Sequence, residues 1–329
     1  MFLFVMCITI LWLWTIVQKK QPNEFGKEKV FPLKGLLAVL IVLHHLTYEI
    51  KNPLLQPFHS WGAPIVSVFF FISGYGLMTS YKNKGEQYLS DFVKRRMFDA
   101  VILPFLLALL LYRCMATGLP NIADAISLLA TKGITTLPNS WFVFAILYSY
   151  ATFYLSCKKR RKNILSPLIL SSIIYSIITC WLGYDRCWYI SILAFPAGCV
   201  FACHWQAFLN SSFHWRNWVI PVCLAFVSVL YMLHHEVGYM FTYILIPLMV
   251  IYLCSSLNIE RMGRLKVVKL LSEISYEIYL CHGIAMFLLN ETLLIRATSG
   301  IYVLSVFLLT FIFAFIVKRT TKFLIAHGI

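Results

Sequence analysis

Long apolar runs, separated by short stretches that contain lysine, arginine or proline, set the pattern of this chain. A helix of about 20 apolar residues is long enough to cross the hydrocarbon core of a bilayer. The pattern therefore predicts an all-α polytopic membrane protein, a bundle of 10–11 transmembrane helices. The candidate spans are 2–17, 33–50, 61–80, 99–117, 140–157, 164–182, 187–205, 217–234, 239–257, 272–294 and 301–318.

The composition excludes a soluble protein. Hydrophobic residues make up 60% of the 329 residues and charged residues only 12%, whereas soluble domains carry about 25% charged residues. The net charge of +15 comes from lysines and arginines in short loops, so it does not indicate a nucleic-acid partner. The ten cysteines are scattered through apolar runs without metal-ligand spacing, and we predict no metal site.

The loop charges predict an orientation. With the N-terminus outside and the C-terminus cytoplasmic, the cytoplasmic segments contain 22 Lys and Arg and the outer segments five. Cytoplasmic loops of membrane proteins are enriched in Lys and Arg, so this distribution supports the orientation. We expect a single membrane domain over 1–329, in which 1–17 is an additional N-terminal helix. The outer segment 118–139 is mildly amphipathic and is expected to lie at the membrane interface over the site.

Four ionisable residues in the span 33–50 are the first candidates for chemistry. Charged groups at membrane depth are costly and usually mark function. Lys34 and His45 are eleven residues apart, close to three helical turns, and Glu49 follows His45 by four, so the three share a face. His44 is the competitor of His45. Because adjacent helical residues point about 100° apart, only one of the two histidines faces Lys34, and the spacing favours His45.

Three further groups each have a structural alternative. Ser73 lies beside Gly74 and Gly76, which also suit close helix packing. Arg95 and Arg96 follow Lys94 and suit phosphate groups, but anionic lipids attract such clusters too. Ser275, Tyr279 and His282 share one helical face and contact either a ligand or a neighbouring helix through hydrogen bonds.

These groups, in this order, resemble the acyltransferase 3 family of integral-membrane acyltransferases, whose bacterial members O-acylate surface glycans. The resemblance covers about 31–320. It rests on a basic residue and Gly followed by His, on a Phe-Phe-x-Ser-Gly-Tyr element, on a basic cluster before a proline, on Trp-Phe and on Ser-Tyr-x-Ile-Tyr-Leu-x-His. The matching residues are Lys34, Gly35 and His45; Phe70 to Tyr75; Lys94 to Arg96 with Pro104; Trp141 and Phe142; and Ser275 to His282.

Two positions depart from the family pattern. Lys34 replaces the usual arginine and so lacks the two-pronged guanidinium. Asp99 stands where another arginine is often found. We expect no Gly-Asp-Ser esterase-like domain, as found in fused members, after the membrane part. The acceptor step is therefore expected to be completed by the membrane domain or by a separate protein.

The resemblance implies acyl transfer, most often of acetyl, from acetyl-CoA or another acyl-CoA at the cytoplasmic side of a bacterial inner membrane to a hydroxyl of a surface or lipid-linked carbohydrate. His45 is the expected general base or acyl carrier, and Glu49 its orienting group. Two alternatives stay open, a transporter or flippase of a lipid-linked glycan and an inactive acyltransferase-like protein. The expected catalytic residues are His45, Glu49 and Ser73, and the expected cofactor-binding residues are Lys34, Arg95, Arg96, Tyr279 and His282.

Overall fold

The computed structural model describes residues 2–18, 25–159, 163–210, 213–232, 236–291 and 299–328, and these contain helices and no strand. Apart from 3₁₀ and π segments, the helices in chain order are α1 Phe2–Val17, α2 Lys27–Glu49, α3 Gly62–Lys84, α4 Gln87–Ser90, α5 Leu103–Met115, α6 Ile122–Lys132, α7 Trp141–Lys158, α8 Leu165–Trp181, α9 Cys187–Ile190, α10 Ala194–Leu209, α11 Phe213–Met232, α12 Glu236–Ser256, α13 Lys266–Glu273, α14 Ser275–Glu291 and α15 Ser299–Ala326.

Each predicted span falls on a helix of the structure, and the chain is an all-α, multi-pass membrane protein. The ends of spans 217–234 and 272–294 lie outside the described residues. Six helical stretches of the described part are long and apolar enough to cross a membrane, and two of them join neighbouring elements, the π-helical stretch with α5 and α9 with α10. They are Lys27–Glu49, Gly62–Lys84, Val93–Met115, Cys187–Leu209, Glu236–Ser256 and Gly300–Ala326.

Helix α2 is tied to the bundle at its first turns. It begins after Gly26, whose backbone is extended, and it ends where Ile50 returns to an extended conformation. Lys29 is buried, with 3% of its surface exposed, and its Nζ donates a hydrogen bond to the carbonyl of Ser255 at 2.9 Å. A cation at the C-terminal end of a helix is favoured by the helix dipole. Lys29 therefore fixes the start of α2 against the end of α12.

Helices α3 and α10 pack so closely that their backbones touch through two glycines. A Cβ built on Gly74 would collide with the carbonyl oxygen of Phe195, and one on Gly198 with the carbonyl oxygen of Phe71. Small residues let membrane helices approach in this way. The close packing predicted for Gly74 is thus present. Gly76 has open space in front of it, so it does not take part.

The predicted span 272–294 begins too early. The structure places residues 266–273 in a separate helix, α13, and α14 starts at Ser275 after a break at Ile274. Helix α13 lies against α2, where Ser272 packs over Gly35 so closely that a Cβ on Gly35 would meet the serine Oγ at 2.6 Å. In the sequence, an amphipathic surface helix that is directly followed by a membrane-spanning helix looks like one continuous apolar run.

Candidate active site

Two large cavities enter the bundle from its two ends. We call the end at which α2 begins the basic face, and the end at which α2 finishes the opposite face. The basic cavity, of about 950 Å³, is lined by Lys34, Ser73 and Arg96. The histidine cavity, of about 680 Å³, is lined by His44 and His45. The two cavities have no lining residue in common.

The basic cavity combines cations with hydroxyl and aromatic groups. Lys34 reaches it from α2, and Arg96 reaches it from the π-helical stretch Val93–Ile102 that precedes α5. The guanidinium of Arg96 lies 5.8 Å from the centre of the Tyr88 ring. Such a surface can hold phosphate groups by charge and an aromatic base by stacking. Its other lining residues include Lys27, Tyr75, Lys82, Tyr150, Trp205 and Gln206.

Arg95 lies beside this cavity rather than in it. Its side chain is 75% exposed, and its Nη2 forms an ion pair with Asp91 at 3.1 Å. Arg95 and Arg96 both line a smaller adjoining pocket of about 540 Å³. Of the two arginines assigned to cofactor binding, Arg96 is therefore the one that faces the same space as Lys34.

In the histidine cavity, a cluster of imidazole groups surrounds His45. The ring of His45 lies 4.7 Å from the ring of His282 and 4.9 Å from the ring of His44, measured between ring centres. His44 is 8% exposed, and its Nδ1 lies 3.1 Å from the carbonyl oxygen of Phe58. The backbone thus anchors His44 beside the loop that follows α2, whereas the His45 ring faces α14.

His282 is held by two neighbours. Its Nδ1 lies 2.6 Å from the carbonyl oxygen of Tyr279, so Nδ1 carries the proton of the neutral ring. Nε2 then accepts, and the side-chain Nδ2 of Asn139 lies 3.5 Å from it. The Tyr279 hydroxyl donates to the Asn139 carbonyl. Asn139 has a φ of 59°, the left-handed conformation that asparagine tolerates. The turn before α7 therefore fixes the ring of His282, which packs on the ring of His45.

Glu49 lines the histidine cavity, but its carboxylate has a different partner from the one predicted. Asn290 on α14 donates its Nδ2 to Glu49 Oε2 at 2.5 Å, and the Tyr302 hydroxyl donates to Asn290 Oδ1 at 2.9 Å. Within the part of the chain described, no hydrogen bond joins Glu49 to His45. The four-residue spacing places Glu49 and His45 on one face of α2. The carboxylate of Glu49 is nevertheless hydrogen-bonded to Asn290 of α14, which Tyr302 of α15 holds in turn.

The structure places three other predicted site residues in a different cavity from the one that their expected roles indicate. Ser73, expected among the catalytic residues, lies in the basic cavity, which Tyr150 also lines. Tyr279 lines the histidine cavity and His282 packs on His45, although both were grouped with the cofactor-binding residues. The cause is the direction of the helices, because α3 reaches the basic face at Ser73 while α14 approaches the opposite face at His282.

A buried layer separates the two cavities. It consists of Ala38, Phe70, Phe142 and Ile146, each at most 8% exposed. The ring of Phe142 lies edge-to-face with Phe70 at 4.8 Å and with Tyr279 at 5.4 Å. On α3 the layer fills the interval between Val66, which lines the histidine cavity, and Ile72, which lines the basic cavity. This interval of six residues corresponds to about 9 Å of helix. The cavities therefore approach each other inside the membrane part without a shared wall residue.

Sequence reasoning missed several residues of the histidine cavity. Asn139 was not predicted, although an asparagine two residues before the Trp-Phe pair is a recognisable turn signal. Trp188 and Asp185 line the same cavity from the short helix α9 and the turn before it.

Among the described residues, no group of three or more His, Cys, Asp or Glu is arranged to hold a metal ion.

Comparison with known proteins gives one match. A family model described as an acyltransferase domain matches residues 33–319, which is most of the chain. The match includes the whole lining of the histidine cavity and, of the basic cavity, all of the lining except residues between 25 and 31. No curated protein and no solved structure matches the chain.

Proposed function

The chain belongs to the acyltransferase 3 family, and on that premise we propose that it transfers an acetyl group from cytoplasmic acetyl-CoA to a carbohydrate hydroxyl on the other side of the membrane. Its family and its apolar helices make the protein a membrane acyltransferase. The placement of two residues supports the acetyl-CoA donor and the carbohydrate acceptor. Lys34 and His45 stand on the same helix but line cavities that open at opposite ends of the bundle.

The donor enters at the basic face. The distribution of lysine and arginine over the loops favours the cytoplasm for this face, and acyl-CoA is available there. The phosphates of coenzyme A are bound by Lys34 and Arg96, and the adenine stacks on one of the aromatic rings of the basic cavity. Lys34 and His45 are eleven residues apart, about 16 Å along the helix. An extended pantetheine arm spans such a distance and brings the thioester to His45.

The acceptor occupies the histidine cavity. Trp141 and Trp188 offer flat apolar faces, and Asp185, Thr135 and Asn139 offer polar groups between them. Sugars have both kinds of surface, with apolar C–H faces and rows of hydroxyls. A carbohydrate hydroxyl beside His45 is therefore the acceptor that fits this lining best.

His45 removes the proton from the acceptor hydroxyl as its oxygen attacks the thioester carbonyl. The carbon–sulfur bond then breaks, and the proton passes from the imidazolium to the departing thiolate, so that an ester and free coenzyme A result. Imidazole suits both transfers because its ordinary pKa is near neutrality. His282, held by Tyr279 and Asn139, is a positioning residue that keeps the His45 ring in place.

Purified protein in membranes, supplied with radiolabelled acetyl-CoA, tests this proposal. We expect His45→Ala to lower acetyl transfer by a factor of about 10²–10⁴, the usual contribution of a general base. His44→Gln is the matched control, since it alters the neighbouring imidazole but keeps a polar side chain beside Phe58. Wild-type transfer by a correctly inserted His45→Ala protein would overturn the assignment. Absence of transfer by the wild type would favour an inactive relative or a transporter.

A further inference from the structure

A short segment at the basic face carries cations and uncovered apolar side chains next to each other. It connects the end of α12 to the start of α14 and consists of the 3₁₀ turn Ile259–Arg264 and helix α13. The hydrogen bond from Lys29 to the Ser255 carbonyl joins the end of α12 to the start of α2, so the segment begins at the basic face. We call residues 259–273 the α13 segment.

The α13 segment runs across α2 rather than along it. Near its start, Gly263 lies against the ring of Pro32, which is 3.6 Å from a Cβ built on the glycine. Near its end, Ser272 packs over Gly35. The segment thus advances by nine residues while α2 advances by three, about 4.5 Å along the axis of α2. An element that crosses a membrane-spanning helix so steeply lies close to the plane of the membrane surface, as an interfacial helix does.

Two neighbouring sides of α13 are apolar, but only one of them is covered by protein. Val268 and Ser272, four residues apart, are buried, with 8% and 6% of their surface exposed. Val267 and Leu270, three residues apart, share the next side and are 69% and 47% exposed. The protein therefore leaves an apolar side of this surface helix open to its surroundings.

The third side of α13 is cationic. Lys266 directly precedes Val267, so the two point about 100° apart around the helix, and Lys269 lies on the same side as Lys266. Four exposed cations follow one another along the whole segment, Arg261, Arg264, Lys266 and Lys269. In the part of the chain that the structure describes, none of the four forms an ion pair. The segment also has two carboxylates, those of Glu260 and Glu273.

We propose that the α13 segment docks on the anionic phospholipid headgroups of the leaflet at the basic face. In a helix that lies in the interface, the open apolar side enters the boundary of the acyl chains and the cations meet the phosphates of the headgroups. The course of the segment across α2 and the angle between its two open sides both fit this arrangement. Because Ser272 packs over Gly35, the residue after Lys34, the docked segment also holds α2 beside the basic cavity.

Hydrogen exchange of the backbone amides of 259–273 tests the docking locally. The full-length protein is compared in nanodiscs of phosphatidylcholine and in nanodiscs that also contain phosphatidylglycerol. We expect the anionic lipid to slow the exchange of this segment about tenfold, because each cation near an anionic surface adds to the attraction. The double variant Lys266→Gln and Lys269→Gln should lose most of this slowing.

The matched control is the double variant Lys158→Gln and Lys159→Gln. It removes the same charge from two exposed lysines at the end of α7 and should keep the slowing of 259–273. Thermal unfolding at the wild-type temperature shows that each double variant is folded, which is expected because all four lysines are exposed.

Three results would overturn the proposal. Equal exchange of the segment in both kinds of nanodisc would show that it does not recognise anionic lipid and would leave its open side to a protein partner. An equal loss of the slowing in both double variants would indicate a general attraction of the basic face. The same slowing by inorganic phosphate in phosphatidylcholine nanodiscs would identify free phosphate as the ligand. The readout does not depend on acyl transfer, so its failure leaves the proposed function unaffected.

Discussion

At the scale of single residues, Lys34 and His45 lie on one helix but line different cavities. Lys34 supplies charge to the basic cavity, and His45 supplies an imidazole to the histidine cavity. A lysine in place of the family's arginine keeps the positive charge but binds a phosphate through one nitrogen instead of two. Lys34 therefore acts as a point charge, and Arg96 is the group in this cavity that can bind phosphate with two parallel hydrogen bonds.

Removal of the Lys34 charge should weaken donor binding rather than the chemical step. We expect Lys34→Ala to raise the KM for acetyl-CoA by about 10- to 100-fold, because charge-assisted hydrogen bonds contribute about 1.5–3 kcal/mol. Lys34→Arg should restore the wild-type KM or lower it. Kinetics with purified protein measure both values.

Arg95→Ala is the control for Lys34, because Arg95 is exposed and already paired with Asp91. A surface ion pair contributes at most about 1 kcal/mol, so we expect the KM of Arg95→Ala to rise by less than about fivefold. Equal defects in Lys34→Ala and Arg95→Ala would contradict the placement of the donor in the basic cavity.

At the same scale, the spacing of residues along α2 predicted side chains that line the two cavities but not all of their contacts. The eleven-residue interval identified Lys34 and His45, since helical periodicity is a local property. The hydrogen bond from Asn290 to Glu49 was not predicted, because Asn290 lies on a helix far away in the chain and no local spacing reveals it. Asn139 became visible only through its left-handed backbone and its contact with His282.

At the scale of helices, α3 and α10 form the closest pairing of the site. Gly74 and Gly198 allow the two backbones to touch, and this contact positions Ser73 toward the basic cavity and Phe70 in the buried layer. Both helices were predicted from their apolar runs. Their pairing was not, because the motif that contains Gly74 indicates close packing without identifying the partner helix.

A pair of glycine variants tests the α3–α10 contact. Gly74→Ala places a methyl group against the Phe195 carbonyl, and we expect a loss of about 1–3 kcal/mol, the usual effect of overpacking. Gly76→Ala meets open space and should unfold at the wild-type temperature. Thermal unfolding in detergent measures both. Equal melting temperatures for the two variants would show that the helices do not touch there.

At the scale of the whole molecule, the buried layer keeps the basic cavity and the histidine cavity apart. The layer is apolar and fully packed, with Phe142 in contact with both Phe70 and Tyr279. In the reaction that we propose, this layer keeps water of the opposite face away from the thioester and opens only when the acyl group reaches His45. Phe142 is the ring at the centre of the layer.

A smaller residue at position 142 should uncouple the reaction. We expect Phe142→Leu to increase hydrolysis of acetyl-CoA in the absence of an acceptor by about threefold or more, since exclusion of water protects reactive groups in enzymes. Release of the free thiol measures this rate. Phe153→Leu, on the same helix and 0% exposed, is the control and should hydrolyse acetyl-CoA at the wild-type rate. A similar increase in both variants would indicate a general loosening instead.

The side of the membrane from which acetyl-CoA is used distinguishes the basic cavity from the histidine cavity as the donor site. Protein reconstituted in one orientation into vesicles that contain acceptor glycan is supplied with labelled acetyl-CoA on one side at a time. We predict label on glycan hydroxyls at the opposite face only when acetyl-CoA is supplied at the basic face, and no label with His45→Ala. Transfer from acetyl-CoA supplied at the opposite face, or undiminished transfer by the His45 variant, would contradict the account.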